Sequence, residues 1–472
     1  MTEQKTVSKE QAAISASQKT LSATAGAWIL QKEDYAIGHQ WKAEGKPIVW
    51  SCALVPEDVY YAMDVMPFFP EQFSALFSVR RLGGSRDPSV PTYATKFCQT
   101  AEAEGYRDYI CGYARTVLGY VIECLKGTHD WTDVPLGGPP LPDCMVTSSL
   151  ACDVRMKWFE ALAHMLKVPL YVLDIPELAD DLAQARIDRR HRVYLYRHEV
   201  ERGDEPDFVV SAPKDYDLDY AKASYEGFIE FLEQVSRNKY DPDKLNEHLE
   251  WSYKCNQLNL EINELRKAVP AVMPATDGFA FAYPRLYSMC HERAYNLFKT
   301  ARDEIREMVK EGRSAIPDEK FRLIWDGIPT WFNMGILNYF EKYGGVFVWE
   351  GTYNVRQVPP RCPDDPIREL ALRHLGSMGT GGQISALIHD VNEYNIDGVV
   401  FSYLITCRPM VLARAETARY LEREMQIPVV RLESDLVDER IFAQSQAFTR
   451  LDAFAEQLLA KGPRERRKLP TM

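Results

Sequence analysis

The sequence predicts an α/β protein: two doubly wound parallel-sheet domains, with a helical subdomain between them and a helical N-terminal arm. Three observations predict it. A strand–helix–strand unit runs from Asp143 to Asp174, a second runs from Asp397 to Leu432, and residues 215–315 read as charged helix. At 472 residues the chain exceeds one ordinary core, so several domains are expected. The expected boundaries are 1–45 for the arm, 46–214 for the first α/β domain, 215–315 for the helical subdomain, 316–460 for the second α/β domain and 461–472 for a disordered basic tail.

Each element follows from local pattern. The arm is polar and helical. Val49 begins a strand, and PEDVYYAMDVM follows as a helix with Pro56 in its first turn and acids behind it. Residues 64–91 read as loop-rich, and ATKFCQTAEAEGY as a helix that stops near Gly105. Cys144 opens a short apolar strand with Cys152 just past its end. Val154, Trp158, Phe159, Leu162, Met165 and Leu166 then recur at helical spacing up to Pro169, and Leu170–Asp174 is the next strand. The grammar repeats at Asp397–Leu404, with Cys407 just beyond, a helix from about Pro409 to Met425, and a strand from Pro428. Asp143 to Cys152 is nine residues and Asp397 to Cys407 is ten, so the two units place a cysteine at matching points.

Composition excludes several classes. Hydrophobic residues at 46% and charged residues at 26% describe a globular protein. No run approaches the roughly 18 apolar residues of a membrane span, and the N-terminus lacks the apolar centre of a signal peptide, so a cytoplasmic location is expected. The formal charge of −12 argues against broad nucleic-acid binding. The basic run PRERRKLPTM reads as a frayed, solvated end.

Ten cysteines occur, none in a CxxC pair. Buried apolar thiols, a nucleophile, or metal ligands gathered from distant segments all remain open for them. Cys111, Cys152 and Cys407 stand out because each precedes a helix, where N–H groups and about half a positive charge favour thiolate. Three such thiolates suit a cluster with one open iron. The gaps of 41 and 255 residues match no standard ferredoxin spacing, and buried structural thiols account for them as well.

Sequence motifs add a resemblance. YRDYICGYAR around Cys111, prefaced by Ala103-Glu104-Gly105-Tyr106, resembles a cysteine motif of the 2-hydroxyacyl-CoA dehydratase and ATP-dependent benzoyl-CoA reductase superfamily. LACDVRMKWFE around Cys152, with Lys157-Trp158, is similar to the second family cysteine motif, and DGVVFSYLITCRP resembles the third. PIVWSCALVPED resembles the opening segment, so the matches span about residues 46 to 460 in order. The resemblance implies a [4Fe–4S] cluster held by Cys111, Cys152 and Cys407, an acyl-CoA substrate and a smaller homologous cluster-bearing subunit as heterodimer partner. It also implies a separate ATP-hydrolysing iron–sulfur activator, fed by a ferredoxin. The chain lacks GxxxxGK[ST], in keeping with ATP chemistry elsewhere. Gly379–Gly382 reads as a plain loop, with contact to CoA phosphates as the other reading.

Within the superfamily, the dehydratase branch carries a hydroxyl in its "WS.S" segment. Here Ala53 stands at the second serine position and can transfer no proton. Glu433-Ser-Asp-Leu-Val-Asp-Glu-Arg440 resembles the reductase branch, whereas ICGYAR leans toward dehydratases. The favoured expectation is reduction of an aromatic acyl-CoA to a dienoyl-CoA by single electrons in a dry pocket. The alternatives are (R)-2-hydroxyacyl-CoA dehydration, a non-catalytic electron-relay subunit, and a clusterless protein with buried thiols. Tyr113, Trp158, Trp331 and Tyr403 fit a ring pocket or an ordinary core. Ser51, Cys52 and His164 are proton-donor candidates by residue type alone.

Overall fold

The computed structural model describes residues 17–150, 152–176, 186–188, 193–195, 215–355, 358, 360–375, 380–412 and 414–463. Residues 1–16 of the expected arm and 464–472 of the expected tail lie outside them.

The first half comprises α1 (Thr24–Ala43), β1 (Ile48–Ser51), α2 (Glu57–Ala62), β2 (Met66–Phe68), α3 (Pro70–Ser78), α4 (Tyr93–Ala103), α5 (Gly112–Leu125), β3 (Cys144–Ser148), α6 (Asp153–Leu166) and β4 (Leu170–Leu173). A short antiparallel pair, β5 (Arg186–Asp188) and β6 (Val193–Leu195), follows. Five helices come next: α7 (Asp215–Ser236), α8 (Pro242–Leu265), α9 (Ala275–Ala280), α10 (Ala282–Tyr287) and α11 (Glu292–Lys310). The second half comprises β7 (Phe321–Asp326), β8 (Gly345–Glu350), α12 (Pro366–Leu375), α13 (Thr380–Glu393), β9 (Gly398–Leu404), α14 (Arg408–Val411), α15 (Arg414–Arg423), β10 (Val429–Ser434) and α16 (Gln444–Lys461).

Two four-stranded sheets, all parallel, carry the fold, in the orders β2-β1-β3-β4 and β8-β7-β9-β10. The two orders are the same pattern, so β1 corresponds to β7 and β3 to β9. A matched hook at the strand starts supports the correspondence. Asp143 accepts from the Ile48 N–H at 2.9 Å and returns its own N–H to the Ile48 carbonyl at 2.7 Å. Asp397 does the same with Arg322, at 2.8 Å both ways.

Burial on both faces explains why these strands read as near-continuous apolar runs. In the second sheet Leu323 and Trp325 enter one core while Ile324 enters the other, the period-two alternation of a strand. The first sheet packs around Trp50, Phe73, Phe77 and Phe97. The helical region and α1 share a fourth core through Ala27, Leu30, Cys255, Ile262, Phe298 and Ile305.

Three sequence expectations are corrected. Residues 64–91 are not mainly loop. Pro67 sits in β2, an edge strand where a missing N–H is tolerated, and Pro70 opens α3 at its first helical position. Thr380–Gly382, read as a plain loop, forms the first turn of α13, while Gly379 lies outside the described residues. The helix expected from Pro409 to Met425 is two pieces, α14 and α15.

Candidate functional site

Parallel sheets offer their chemistry at the carboxyl ends of strands, where order reverses and helix N-termini face a crevice. Both sheets direct those ends at one cavity of about 910 Å³. Ala53 and Leu54 follow β1, Leu150 and Cys152 follow β3, and Asp326 ends β7. Gly351–Asn354 follow β8, Cys407 follows β9 and Leu436 follows β10, and all of these line it. Segments from α1 and α10 close other walls through Trp28 and Tyr287.

Cys111, Cys152 and Cys407 all open into this cavity. Each occupies the residue immediately before a helix: Cys111 before α5, Cys152 before α6 and Cys407 before α14. All three are half-buried and none is in a disulfide. Burial, and then the neighbouring Cys407 sulfur, push the Cys111 thiol well up, while the Ala114 amide opposes the shift. Burial pushes the Cys407 thiol up to about 12, against the Met410 amide. Cys152 acts electrostatically on both thiols, so the three cysteines, drawn from two separate sheets, share one cavity wall.

A buried polar lattice fixes two of them. Asp435, just past β10, accepts from the N–H groups of Val437 and Asp438 at 2.9 Å each. It also accepts from the hydroxyl of Thr406, next to Cys407. Arg115, one turn into α5, reaches Asp438 at 2.8 Å and Asp435 at 3.4 Å. Gly112 leaves room for this carboxylate, since a Cβ there would lie 2.1 Å from its Oδ1. Asp435 therefore ties the segment carrying Cys111 to the one carrying Cys407.

Glu71 and Arg155 form one charged part of the wall. The Arg155 guanidinium lies 3.1 Å from Glu71 Oε1, which also accepts from the Ala53 N–H at 3.3 Å. Glu71 Oε2 is buried without a hydrogen-bond partner. Burial raises the Glu71 pKa, against the opposing pull of Arg155. Across the cavity Arg414 pairs with Asp326 at 2.6 Å. The remainder is largely apolar and includes eight aromatic side chains. The Trp331 indole donates to the Tyr113 hydroxyl at 2.6 Å, and Tyr353 stacks on Trp331. Burial holds the Tyr113 phenol well above its ordinary pKa, so it stays neutral.

Tyr113, Trp158 and Trp331 line the cavity as expected for a ring pocket, but Tyr403 does not. Tyr403 belongs to the body of β9, three residues before Thr406, and on this strand only residues beyond its end line the crevice. Ser51 and Cys52 are fully buried outside the lining, with the Ser51 hydroxyl bonded to Tyr60 at 2.6 Å. His164 is exposed on α6. None of the three faces the cavity. Sequence reasoning missed Glu71, Arg155, Asp326 and Arg414. Glu71 offered one weak signal, an acid in a first helical turn, which ordinarily answers the helix dipole.

The donor set fits an iron–sulfur group. Three cysteines, each just before a helix, line one largely apolar cavity beside a paired guanidinium.

The sequence of the chain has relatives among known proteins. The sequence model described as 2-hydroxyglutaryl-CoA dehydratase, D-component, matches residues 52–458. The (R)-2-hydroxyisocaproyl-CoA dehydratase alpha subunit of Clostridioides difficile is 24% identical over 451 residues, covering 93% of this chain and 96% of its own. The (R)-phenyllactyl-CoA dehydratase alpha subunit of Clostridium sporogenes is 24% identical, covering 89% and 91%. A benzoyl-CoA reductase subunit of Thauera aromatica is 26% identical over 381 residues, covering 76% and 78%.

Proposed function

Because the chain belongs to the 2-hydroxyglutaryl-CoA dehydratase D-component family, a family of enzymes, we propose that it is an iron–sulfur catalytic subunit acting on an acyl-CoA, with reduction of an aromatic acyl group as its reaction. The observation that carries the reading is the convergence of Cys111, Cys152 and Cys407, from two sheets, on one aromatic-lined cavity. The three thiolates would hold a [4Fe–4S] cluster, which when bound supplies single electrons at low potential and one iron open as a Lewis acid.

The chain's own residues do the rest. Tyr113, Trp158, Trp331 and Tyr353 give flat apolar faces for an acyl ring and exclude the water that would compete for electrons. Glu71, whose carboxyl burial makes harder to ionise, lines the cavity and would donate a proton to a reduced substrate. Arg155 keeps that carboxyl oriented and sets a positive charge near Cys152. Ala53, beside Glu71, brings no hydroxyl to the wall, which favours reduction over dehydration.

Dehydration of an (R)-2-hydroxyacyl-CoA is the second reading, favoured by the fuller coverage of the dehydratase alpha subunits, 89–93% of this chain against 76% for the reductase subunit. The relatives are each named as one subunit of a larger enzyme, which supports a smaller homologous subunit as partner. An ATP-hydrolysing activator, itself reduced by ferredoxin, completes the proposal.

The test is anaerobic co-purification with the partner subunit, followed by assay with reduced activator and ATP. Iron and acid-labile sulfide in the protein, lost in Cys152→Ser, together with turnover of benzoyl-CoA, are expected. Turnover of a 2-hydroxyacyl-CoA alone would select the second reading, and a colourless, iron-free protein would remove both.

A further inference from the structure

Away from the cavity, α2, α8 and the turn before α11 meet at a second group of donors. Among the described residues, His248, Cys290 and His291 bring one ligand atom each to within 4.8 Å of one another. None of the three lines the large cavity. We propose that this trio is a divalent-cation site of the zinc class, which pins α8 to the start of α11.

Three features of the geometry carry the inference. First, the donors are two imidazoles and a thiol, the set that zinc takes in tetrahedral sites with bonds of about 2.0–2.3 Å. Second, His248 Nδ1 lies 3.0 Å from the Cys290 carbonyl. A carbonyl only accepts, so Nδ1 carries the proton and Nε2 presents a lone pair. That is the arrangement by which a backbone carbonyl orients a metal-bound histidine. Third, His291 Nε2 is shut off from solvent with no hydrogen-bond partner, a costly state for a buried polar atom that a bound cation would relieve.

The surroundings favour positive charge. Glu57, Asp58 and Asp34 all act electrostatically on Cys290, and Glu57 accepts from the neighbouring Met289 N–H at 2.7 Å. Arg293, the nearby cation, is paired with Asp34 at 2.6 Å and Glu33 at 3.2 Å. Tyr61 of α2 packs edge-on against His291, with ring centroids 4.2 Å apart, and walls one side.

The test titrates the chelator-stripped full chain with Co²⁺ alone, in the Cys152→Ser background so that the large cavity offers fewer sulfurs. One equivalent is expected, with the visible bands of tetrahedral cobalt and a thiolate-to-cobalt charge-transfer band. Cys290→Ser should abolish the charge-transfer band. His248→Ala, at a half-exposed position, should weaken binding at least about tenfold while the chain stays folded by circular dichroism. Absence of a tetrahedral spectrum, or a spectrum undiminished in His248→Ala, would overturn the proposal even if Cys290→Ser does not fold.

Discussion

A carboxyl such as Glu71 takes its character from its setting. Burial raises its pKa while Arg155 and the Ala53 amide restrain it, leaving Oε2 buried without a partner in a residue that lines the cavity. Glu71→Gln keeps the shape and removes the proton, so kcat for the acyl-CoA reaction should fall by about 10²–10⁴ with KM little changed. The pH limb that belongs to this residue should vanish with it. That limb lies above the ordinary carboxylate range, because the raised pKa keeps Glu71 protonated to higher pH. Steady-state kinetics across pH checks both outcomes. Such a residue was illegible in the sequence, where an acid after Pro70 looks like any dipole-answering first turn. The places of Cys111, Cys152 and Cys407 before helices were legible from period, whereas singling them out as a ligand set came from the motif resemblance, because their spacing matches no ferredoxin pattern. Tyr403 misled because aromatic type says nothing about whether a residue stands within a strand or beyond its end.

Helix α5, which begins just after Cys111, crosses α4 at very short range. A Cβ at Gly119 would lie 1.9 Å from the Phe97 carbonyl oxygen, so only glycine permits the crossing. Gly119→Ala should destabilise the protein by about 1–3 kcal/mol through overpacking, read by chemical denaturation. At the other end of the site, Asp435→Asn removes one of three carboxylate partners of the buried Arg115, leaving Asp438 and Glu102. Because two partners remain, a loss of about 1–3 kcal/mol is expected, and the fluorescence-monitored denaturation midpoint should fall accordingly. Elements such as β3, α6 and β9 were readable from apolar period, whereas β2 was not. Three residues carry too little pattern, and the prolines at 67 and 70 signal interruption until the sheet edge and the helix start around them are known.

At the scale of the whole molecule, buried charge joins the helical region to the second sheet. Glu350, at the end of β8, receives two bonds from Arg266 and one from Arg285, and all three side chains are essentially buried. Near the same junction Asp277 of α9 accepts from the Thr20 N–H at 3.0 Å, holding the N-terminal segment in place. Burial lifts the Asp277 pKa from its ordinary 3.8 to about 7, against the pull of Lys19. Between these values the folded chain keeps a proton that the unfolded chain has released, so this residue's contribution to stability declines as pH rises from about 4 to about 7. Asp277→Asn retains the acceptor for Thr20 and should flatten that part of the Tm-versus-pH curve, as calorimetry would record.

The shared strand order of the two sheets has a consequence for motion. Two corners of the sulfur triangle ride on one half of the molecule and the third on the other, so the triangle closes only when the halves are seated together. Any hinge that parts them by a few ångströms lengthens two of its three sides and leaves the Cys111–Cys152 side intact. A spectroscopic ruler with one label near Cys152 and one near Cys407 would therefore report the opening of the whole molecule, while a pair across Cys111 and Cys152 would stay silent.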